Sequence, residues 1–501
     1  MTLPAGGPAA PTSLASRPVR DDVAARGRAL LIARLMIGLY LVELLLNLTR
    51  PRVLPDEPSL TIFWRLPESS GSLGRLLTMP RAVFWAVLAG IAVGVALQVV
   101  AARTPLEGRR AAALTWATLA ALLGPFALIP LTVIGSYPAT ALVCVPSTAF
   151  VLWLLHHSQR FARMPLAMLL AAFGWGALIV FGFTRACSGL AYGTINAYLA
   201  KGADARIGAQ LEVQYRVIDF VVLHMSVVSQ LTAGAGVLLL LILVRHRVTD
   251  VVTGLVLGAA VGIGYSFIES VVFIELFSVL SSINGATGGF EYWIRQSVAL
   301  VGGHVAFGAV LGAALGIAAQ VRQRRRRAVV AGAGLVAAIG GAVAGETLSA
   351  WFSHLAHGHI GAGGTLDTLV VSPVLWLLVP APFIVLWVLL LRAGLPVRAA
   401  AARAAVPAEA AAGGAITDRE VPYLVDPALR LWALVSTWRR YGRTAALALN
   451  RVQAAQVDLA GWRWQRLRAG SAGEVGGDEE GEELRAKVIR LKAAAGREAA
   501  P

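Results

Sequence analysis

The chain has 501 residues, of which 57% are hydrophobic and 14% are charged, and its mean hydropathy is +0.68. A soluble globular protein is nearer a quarter charged, so this composition excludes an ordinary soluble domain and predicts an integral membrane protein. The net charge of +16 reflects arginines that follow apolar runs, so we expect no nucleic-acid partner. Two cysteines are too few for a disulfide framework.

Ten apolar runs are long enough to cross a bilayer, which takes about 20 residues of helix. We therefore predict an all-α, polytopic helix bundle whose surroundings are the lipid bilayer. The predicted spans are 28–48, 82–102, 113–135, 138–156, 166–184, 217–244, 250–279, 294–320, 328–353 and 369–391.

Arginines follow the second, fourth, sixth, eighth and tenth spans, whereas the short loops 136–137, 280–293 and 358–368 contain neither Arg nor Lys. Cytoplasmic loops carry the excess of Lys and Arg. Both termini are therefore expected in the cytoplasm, and the protein is expected to be a multi-pass protein of the plasma membrane.

The chain is predicted to have six parts. The last part is a basic, amphipathic stretch, which could lie on an anionic membrane leaflet or pack against the rest of the protein. An amphipathic helix is also predicted near 195–213. The parts are a disordered cytoplasmic segment 1–27, a five-span region 28–184, an extracytoplasmic loop 185–216, a five-span core 217–391, a linker 392–422 and a cytoplasmic helical tail 423–501.

Six ionisable residues interrupt the apolar runs of the second half. They are His224, Glu269, His304, Glu346, His354 and His357. Titratable side chains at membrane depth mark functional sites by default. Counting about 1.5 Å per residue places all six in the outer half of the bilayer or at its edge, which predicts one shared polar site. Glu43, at similar depth, is a possible distant partner, whereas Glu275 and Arg295 are expected near outer helix ends.

The chemistry of such a site has two interpretations. Two histidines and one carboxylate suit a divalent metal such as zinc, with water as a further ligand. The same groups without a metal could perform general acid–base catalysis. His354 and His357, three residues apart, share one helical face, as a pair of ligands would. The residues alone do not decide between the two.

Two successive spans carry glycines at four-residue spacing, which lets helix backbones approach closely. The glycines are Gly254, Gly258 and Gly262 in the seventh span and Gly308, Gly312 and Gly316 in the eighth. This pattern predicts a tightly packed helix pair.

The glycine-rich helix from Gly254 that ends in Tyr265-Ser-Phe-Ile-Glu269-Ser270 resembles the second motif of the PrsW family of intramembrane proteases. His304, followed by small residues and Gly308, resembles the third motif, and His354-Leu-Ala-His357 resembles the fourth. The resemblance covers roughly 217–490. It implies Glu269, His304 and His354 as catalytic residues, or as metal ligands if a metal is bound, and a membrane-embedded protein substrate or partner helix.

The first family motif, Glu-Glu-x-x-Lys, is absent. Its place is taken by Ser229 and Gln230, and Ala233 stands where the lysine would be. Ser229, Gln230, His224, Glu346 and His357 are therefore considered only as supporting residues. Three functions remain open: a peptidase acting on single-span proteins such as anti-sigma factors, a catalytically degenerate member that binds membrane helices, and a proton-coupled transporter. The lack of a recognisable repeat of broken helices argues against the transporter.

Overall fold

The computed structural model describes residues 16–49, 81–104, 108–159, 164–202, 210–244, 250–284, 287–321, 323–360, 364–412, 414–470 and 478–498. These residues form helices and short connections, and none of them lies in a strand. Within these described ranges, ten helical segments are long and apolar enough to cross a membrane, which confirms the predicted all-α bundle. The side on which the termini lie stays a prediction.

The helices are numbered in chain order, and the chain divides into two compact units. One unit comprises Arg17–Leu155 with Leu166–Val388, and the other is formed mainly by Leu389–Pro501. The helices are α1 Ser16–Leu48, α2 Arg81–Arg103, α3 Gly108–Leu123, α4 Leu128–Ser136, α5 Pro138–Ser158, α6 Leu166–Gly174, α7 Phe181–Gly202, α8 Gln210–Leu243, α9 Val251–Asn284, α10 Gly288–Trp293, α11 Gly303–Gln320, α12 Arg324–Ile360, α13 Ser372–Leu378, α14 Ala381–Ala412, α15 Val421–Val425, α16 Pro427–Gly470 and α17 Asp478–Glu498.

Three helices extend into segments that were predicted to lie outside the membrane spans. Residues 16–27 belong to α1, residues 185–202 belong to α7, and residues 392–412 belong to α14. Adding a residue to an existing helix costs little compared with nucleating one, so a strongly apolar span extends into weakly helical flanks. Helix therefore continues into parts of the segments that were expected to be a disordered lead, an extracytoplasmic loop and a linker.

Helix α9 is packed by backbone contact on two sides. On one side, a Cβ atom added to Gly258 would lie 2.0 Å from the carbonyl oxygen of Gly308 in α11. On the other side, a Cβ at Gly264 would lie 2.0 Å from the carbonyl oxygen of Phe173 in α6. The predicted glycine-mediated pair thus exists, and it fixes the helix that carries Glu269 against the helix that carries His304.

Two of the predicted spans are interrupted. A π-helical segment, Ile294–Val298, follows α10, and the chain then leaves the helical conformation before α11 begins at Gly303, whose φ is +50°. A second interruption at 379–380 separates α13 from α14. A Cβ at Gly302 would lie 3.0 Å from Cγ of Pro380, so the two interruptions are neighbours. Gly288–Gln320 is still long and apolar enough to cross a membrane, as predicted, whereas the span predicted at 369–391 is divided between α13 and α14. Glycine and proline disfavour the helix interior, which accounts for both breaks.

The second unit has its own core. Ala405, Ile416, Leu424, Leu459 and Val488 are among its buried residues. Helix α16 bends at Gly442, which has φ +81° and ψ −179°. Helix α17 starts at Asp478, in an acidic run. This unit is therefore more than a single surface helix.

Candidate functional site

A cavity of about 280 Å³ lies within the first unit, between α9, the interrupted region before α11, α12 and α13. Its lining includes the carboxylates of Glu269 and Glu346 and the imidazole of His304. Phe273 and Trp376 contribute aromatic surface to the same cavity. A mostly apolar cavity with a few convergent ionisable groups is the usual form of a binding or active site.

Glu269 and His304 form the centre of this cavity. His304 Nε2 lies 3.6 Å from Glu269 Oε1, and Arg295 Nη1 lies 3.4 Å from Glu269 Oε2. The carboxylate of Glu269 is therefore flanked by a cation on one oxygen and an imidazole on the other. Such pairing is what makes a carboxylate tolerable at membrane depth.

Arg295 was not among the residues predicted from the sequence as part of the site. Its Nε donates to Glu291 Oε2 at 2.8 Å, and its guanidinium lies 4.2 Å from the ring centroid of Phe273 and 5.0 Å from that of Trp376. The cation is thus held between two carboxylates and two aromatic faces. The sequence did contain a signal that could have identified Arg295: Glu269 lies in an apolar run, and a buried carboxylate needs a cationic partner.

Tyr265 holds the imidazole of His304 from the side. The two ring centroids are 3.9 Å apart, and the planes are inclined by 44°. The hydroxyl of Tyr265 lies 3.3 Å from Ser229 Oγ, within hydrogen-bond reach. Because Tyr265 is buried, this contact also gives its polar end a partner. Ser229 therefore orients the aromatic residue that packs on His304.

Glu346 enters the cavity from α12 and is bound to α8. The amide of Gln230 donates to Glu346 Oε1, and the hydroxyl of Ser226 lies near the same carboxylate. Gln230 is 3% exposed, so this contact is shielded from bulk solvent. The two residues at the place of the missing Glu-Glu motif thus contact the groups around His304, and Gln230 binds a carboxylate supplied by another helix.

The predicted site residues fall into two groups. Glu269, His304 and Glu346 line one cavity, as the depth count predicted. The side chains of His224, His354 and His357 lie outside the described residues. The backbone of His354 is eight residues beyond Glu346 in the same helix, about 12 Å further along its axis.

The remaining candidates lie elsewhere. Glu43 is buried on α1 in the neighbourhood of Cys187 and is not among the residues that line the cavity. Its role as a distant partner of the site stays a prediction. Glu275 contacts Thr140, also outside the cavity.

The donor atoms can be compared with the needs of a zinc ion, which takes three or four nitrogen, oxygen or sulfur ligands. Glu269 and His304 supply one oxygen and one nitrogen at 3.6 Å, a separation that two ligands of one ion can have. Across the described ranges, no group of three His, Cys, Asp or Glu side chains could hold a metal. These residues alone therefore do not make a metal site, and a site completed by His354 stays a prediction.

The first turn of α11 also faces the cavity. Gly302, Gly303, His304 and Val305 all line it. The first backbone N–H groups of a helix carry partial positive charge. That of Val305 donates to the Gly302 carbonyl oxygen at 3.1 Å, so the N–H groups of Gly303 and His304 are the candidates for contact with a bound molecule. This end of α11 can therefore interact with negative charge that develops on a bound molecule beside His304.

These features define a class of protein: a polytopic, α-helical membrane protein with an ionisable cavity between glycine-packed helices. Residues 164–354 match the family described as PrsW family intramembrane metalloprotease. The resemblance to the PrsW family seen in the motifs is therefore confirmed over that segment, in a chain with multiple apolar helices that could span a membrane. No curated protein and no solved structure matches it.

Proposed function

We propose that the protein is an intramembrane peptidase that hydrolyses a peptide bond of a membrane-embedded protein at the Glu269–His304 cavity. The observation that carries the proposal is the 3.6 Å approach of the His304 imidazole to the Glu269 carboxylate in a largely apolar cavity. The family match over 164–354 includes both residues. Single-span proteins, such as anti-sigma factors, are the substrate class that the family resemblance implies.

Each group has a defined task in this proposal. His304, oriented by Glu269 and Tyr265, positions the attacking water and transfers a proton to the leaving amine nitrogen. Arg295 keeps Glu269 ionised and in place. The first turn of α11 stabilises the negative charge that forms on the peptide oxygen. The water oxygen bonds to the carbonyl carbon as water gives up one proton, and the C–N bond breaks as the amine nitrogen takes a proton from His304. The proton from water restores His304, and the products are a carboxylic acid and an amine.

The function can be tested with full-length protein in liposomes that contain single-span reporter proteins. We expect cleavage by the wild type, and a loss of about 100-fold in rate for Glu269→Gln and for His304→Ala. His359→Ala is a matched control, because His359 is exposed and contacts only its own helix at the carbonyl oxygen of Leu355 in the described contacts. Equal cleavage by wild type, Glu269→Gln and His304→Ala would contradict the proposed site.

A catalytically degenerate helix-binding protein is the second candidate. The observation that favours it is the replacement of the Glu-Glu motif by Ser229 and Gln230, which make structural hydrogen bonds to Tyr265 and Glu346. This function predicts that the wild type captures single-span proteins but leaves every reporter intact. Crosslinking of reporters to a photoreactive group beside the cavity distinguishes it from a peptidase, because the crosslinked reporter remains full length.

A proton-coupled transporter is favoured by one observation that the sequence did not reveal. The interruptions at 299–302 and 379–380 meet at the cavity, and discontinuous helices are typical of transport sites. This function predicts substrate-dependent proton flux in proteoliposomes under a pH gradient. Absence of flux together with reporter cleavage would leave the peptidase.

A further inference from the structure

Two carboxylates line the cavity, and their partners differ in charge. Glu269 is within 3.4 Å of the guanidinium of Arg295 and 3.6 Å from the imidazole of His304. An adjacent cation stabilises the ionised carboxylate and makes it a weaker proton acceptor. Glu269 is therefore suited to orienting His304 and holding Arg295, and it is poorly suited to taking a proton from water.

Glu346 has the opposite surroundings. In the described part of the chain, the Gln230 amide donates to it and the Ser226 hydroxyl lies nearby, and both groups are neutral. They fix the carboxylate without neutralising its charge. Glu346 is also within electrostatic reach of His304, as Glu269 is, so the imidazole is influenced by carboxylates from two different helices.

We infer that Glu346 is the general base of the site: it accepts the proton of the attacking water, while Glu269 acts as a positioning residue for His304. This inference rests on the proposed function. As the water oxygen bonds to the peptide carbonyl carbon, one water proton moves to the Glu346 carboxylate. The C–N bond then breaks, the amine nitrogen takes a proton from His304, and Glu346 returns its proton to the imidazole. No other reactant is needed.

Gln230 provides a direct test, because it and Glu346 are a hydrogen-bonded amide–carboxylate pair. Exchanging the two residues in Gln230→Glu/Glu346→Gln moves the carboxylate from α12 to α8 and retains the side-chain contact. In the liposome assay we expect Glu346→Gln to lower the cleavage rate about 100-fold, as loss of a general base does. The exchanged double variant is expected to recover at least about tenfold over Glu346→Gln, because a carboxylate is again present at the pair.

A second pair of variants separates the base from a structural role. Glu346→Ala leaves space in the cavity for a small external carboxylate, so added formate is expected to raise its rate, whereas Glu269→Ala should not respond. Glu482→Gln, at an exposed position in the tail, is the control for a Glu-to-Gln change. Thermal unfolding of each variant verifies that the protein remains folded.

The possible results are distinguishable. If the wild type cleaves the reporter and Glu346→Gln cleaves it at a rate within about threefold of wild type, the inference is overturned and the proposed function stands. Loss of a general base would lower the rate much more. Formate rescue of Glu269→Ala instead of Glu346→Ala also overturns it, by exchanging the two roles. A wild type that cleaves no reporter overturns the proposed function and the inference with it.

Discussion

Each unit of the protein contains a carboxylate paired with arginine, and the two pairs differ in what surrounds them. Glu269 lines a cavity and shares its oxygens between Arg295 and His304. Glu409, in the second unit, is fully buried and is bound by Arg485 through Nε at 2.5 Å and Nη2 at 3.1 Å. The second pair is a closed, bidentate contact, whereas the first leaves room for another molecule.

This difference separates a site from a structural contact. A bidentate Arg–carboxylate pair gives geometric specificity and leaves few unsatisfied polar atoms. The longer contacts of Glu269, 3.4 Å and 3.6 Å, leave it able to rearrange when water or substrate binds. Burial of charge alone therefore does not indicate function. An adjacent cavity and a titratable neighbour are what distinguish Glu269.

The largest effect is expected from Gly258→Val, which removes the helix contact on which the Glu269–His304 approach depends. The new side chain would meet the Gly308 carbonyl oxygen at 2.0 Å, and backbone cannot move aside as a side chain can. We expect destabilisation of at least about 3 kcal/mol and little folded protein. Detergent-solubilised yield and thermal unfolding measure it.

Gly332→Val is the matched control, because nothing lies within 4 Å of a Cβ at Gly332. It should change stability by less than about 1 kcal/mol. Similar losses in both variants would show that valine in a helix, rather than the close contact, causes the effect.

Glu409→Ala breaks the closed pair and is expected to destabilise the second unit by about 3–5 kcal/mol, because Arg485 at 2.5 Å and Arg463 at 3.8 Å both lose the buried carboxylate between them. Limited proteolysis of the full-length protein measures the loss as faster cleavage between Glu420 and Glu498. Asp458→Asn removes an exposed partner of Lys487 at 3.9 Å and should cost less than about 1 kcal/mol. Equal proteolysis rates for the two variants would refute a special role for Glu409.

Glu269→Gln is expected to destabilise the protein by only about 1–2 kcal/mol, since Arg295 retains Glu291 at 2.8 Å. Comparing this variant with Glu409→Ala tests the difference between the two units directly, because Glu269 is expected to matter mainly for cleavage and Glu409 mainly for stability. Thermal unfolding is measured on the same preparations as the cleavage assay. A stability loss as large as that of Glu409→Ala would make Glu269 a structural residue.

The smallest effect is expected at Glu420, outside the membrane spans. Partial burial of Glu420 disfavours its charged form, but hydrogen bonds from Lys492 and from the Thr417 backbone N–H lower its pKa below the usual 4.5. The stabilisation is therefore present above pH 4.5 and is lost as the pH falls through the lowered pKa.

Hydrogen exchange of residues 414–425, corrected for intrinsic rates, should show protection that is constant from pH 7 to about pH 5 and declines in more acidic solution. Glu420→Gln should lower protection by less than about 1 kcal/mol at pH 7 and remove this acid dependence, because Glu420 and Lys492 are partly exposed. If the acid dependence is unchanged in Glu420→Gln, a group other than Glu420 is responsible for it.

Several features followed from the sequence alone. Apolar length predicted ten spans because a helix satisfies its own backbone in lipid, whatever its neighbours are. Four-residue glycine spacing predicted the α9–α11 pair, and counting residues along the predicted spans placed Glu269, His304 and Glu346 at similar depth. These properties are local: they depend on hydropathy and on the fixed rise of a helix.

Other features were decided only by the tertiary structure. The partnership of Arg295 with Glu269, the hydrogen bond from Gln230 to Glu346, and the contact between the two helix interruptions join residues far apart in the chain. Helical periodicity shows on which face of its helix a residue lies, but it does not show which other helix packs against that face. From the sequence, Ser229 and Gln230 therefore indicate only that the Glu-Glu motif is missing. In the fold, Gln230 contacts Glu346, a carboxylate that another helix supplies.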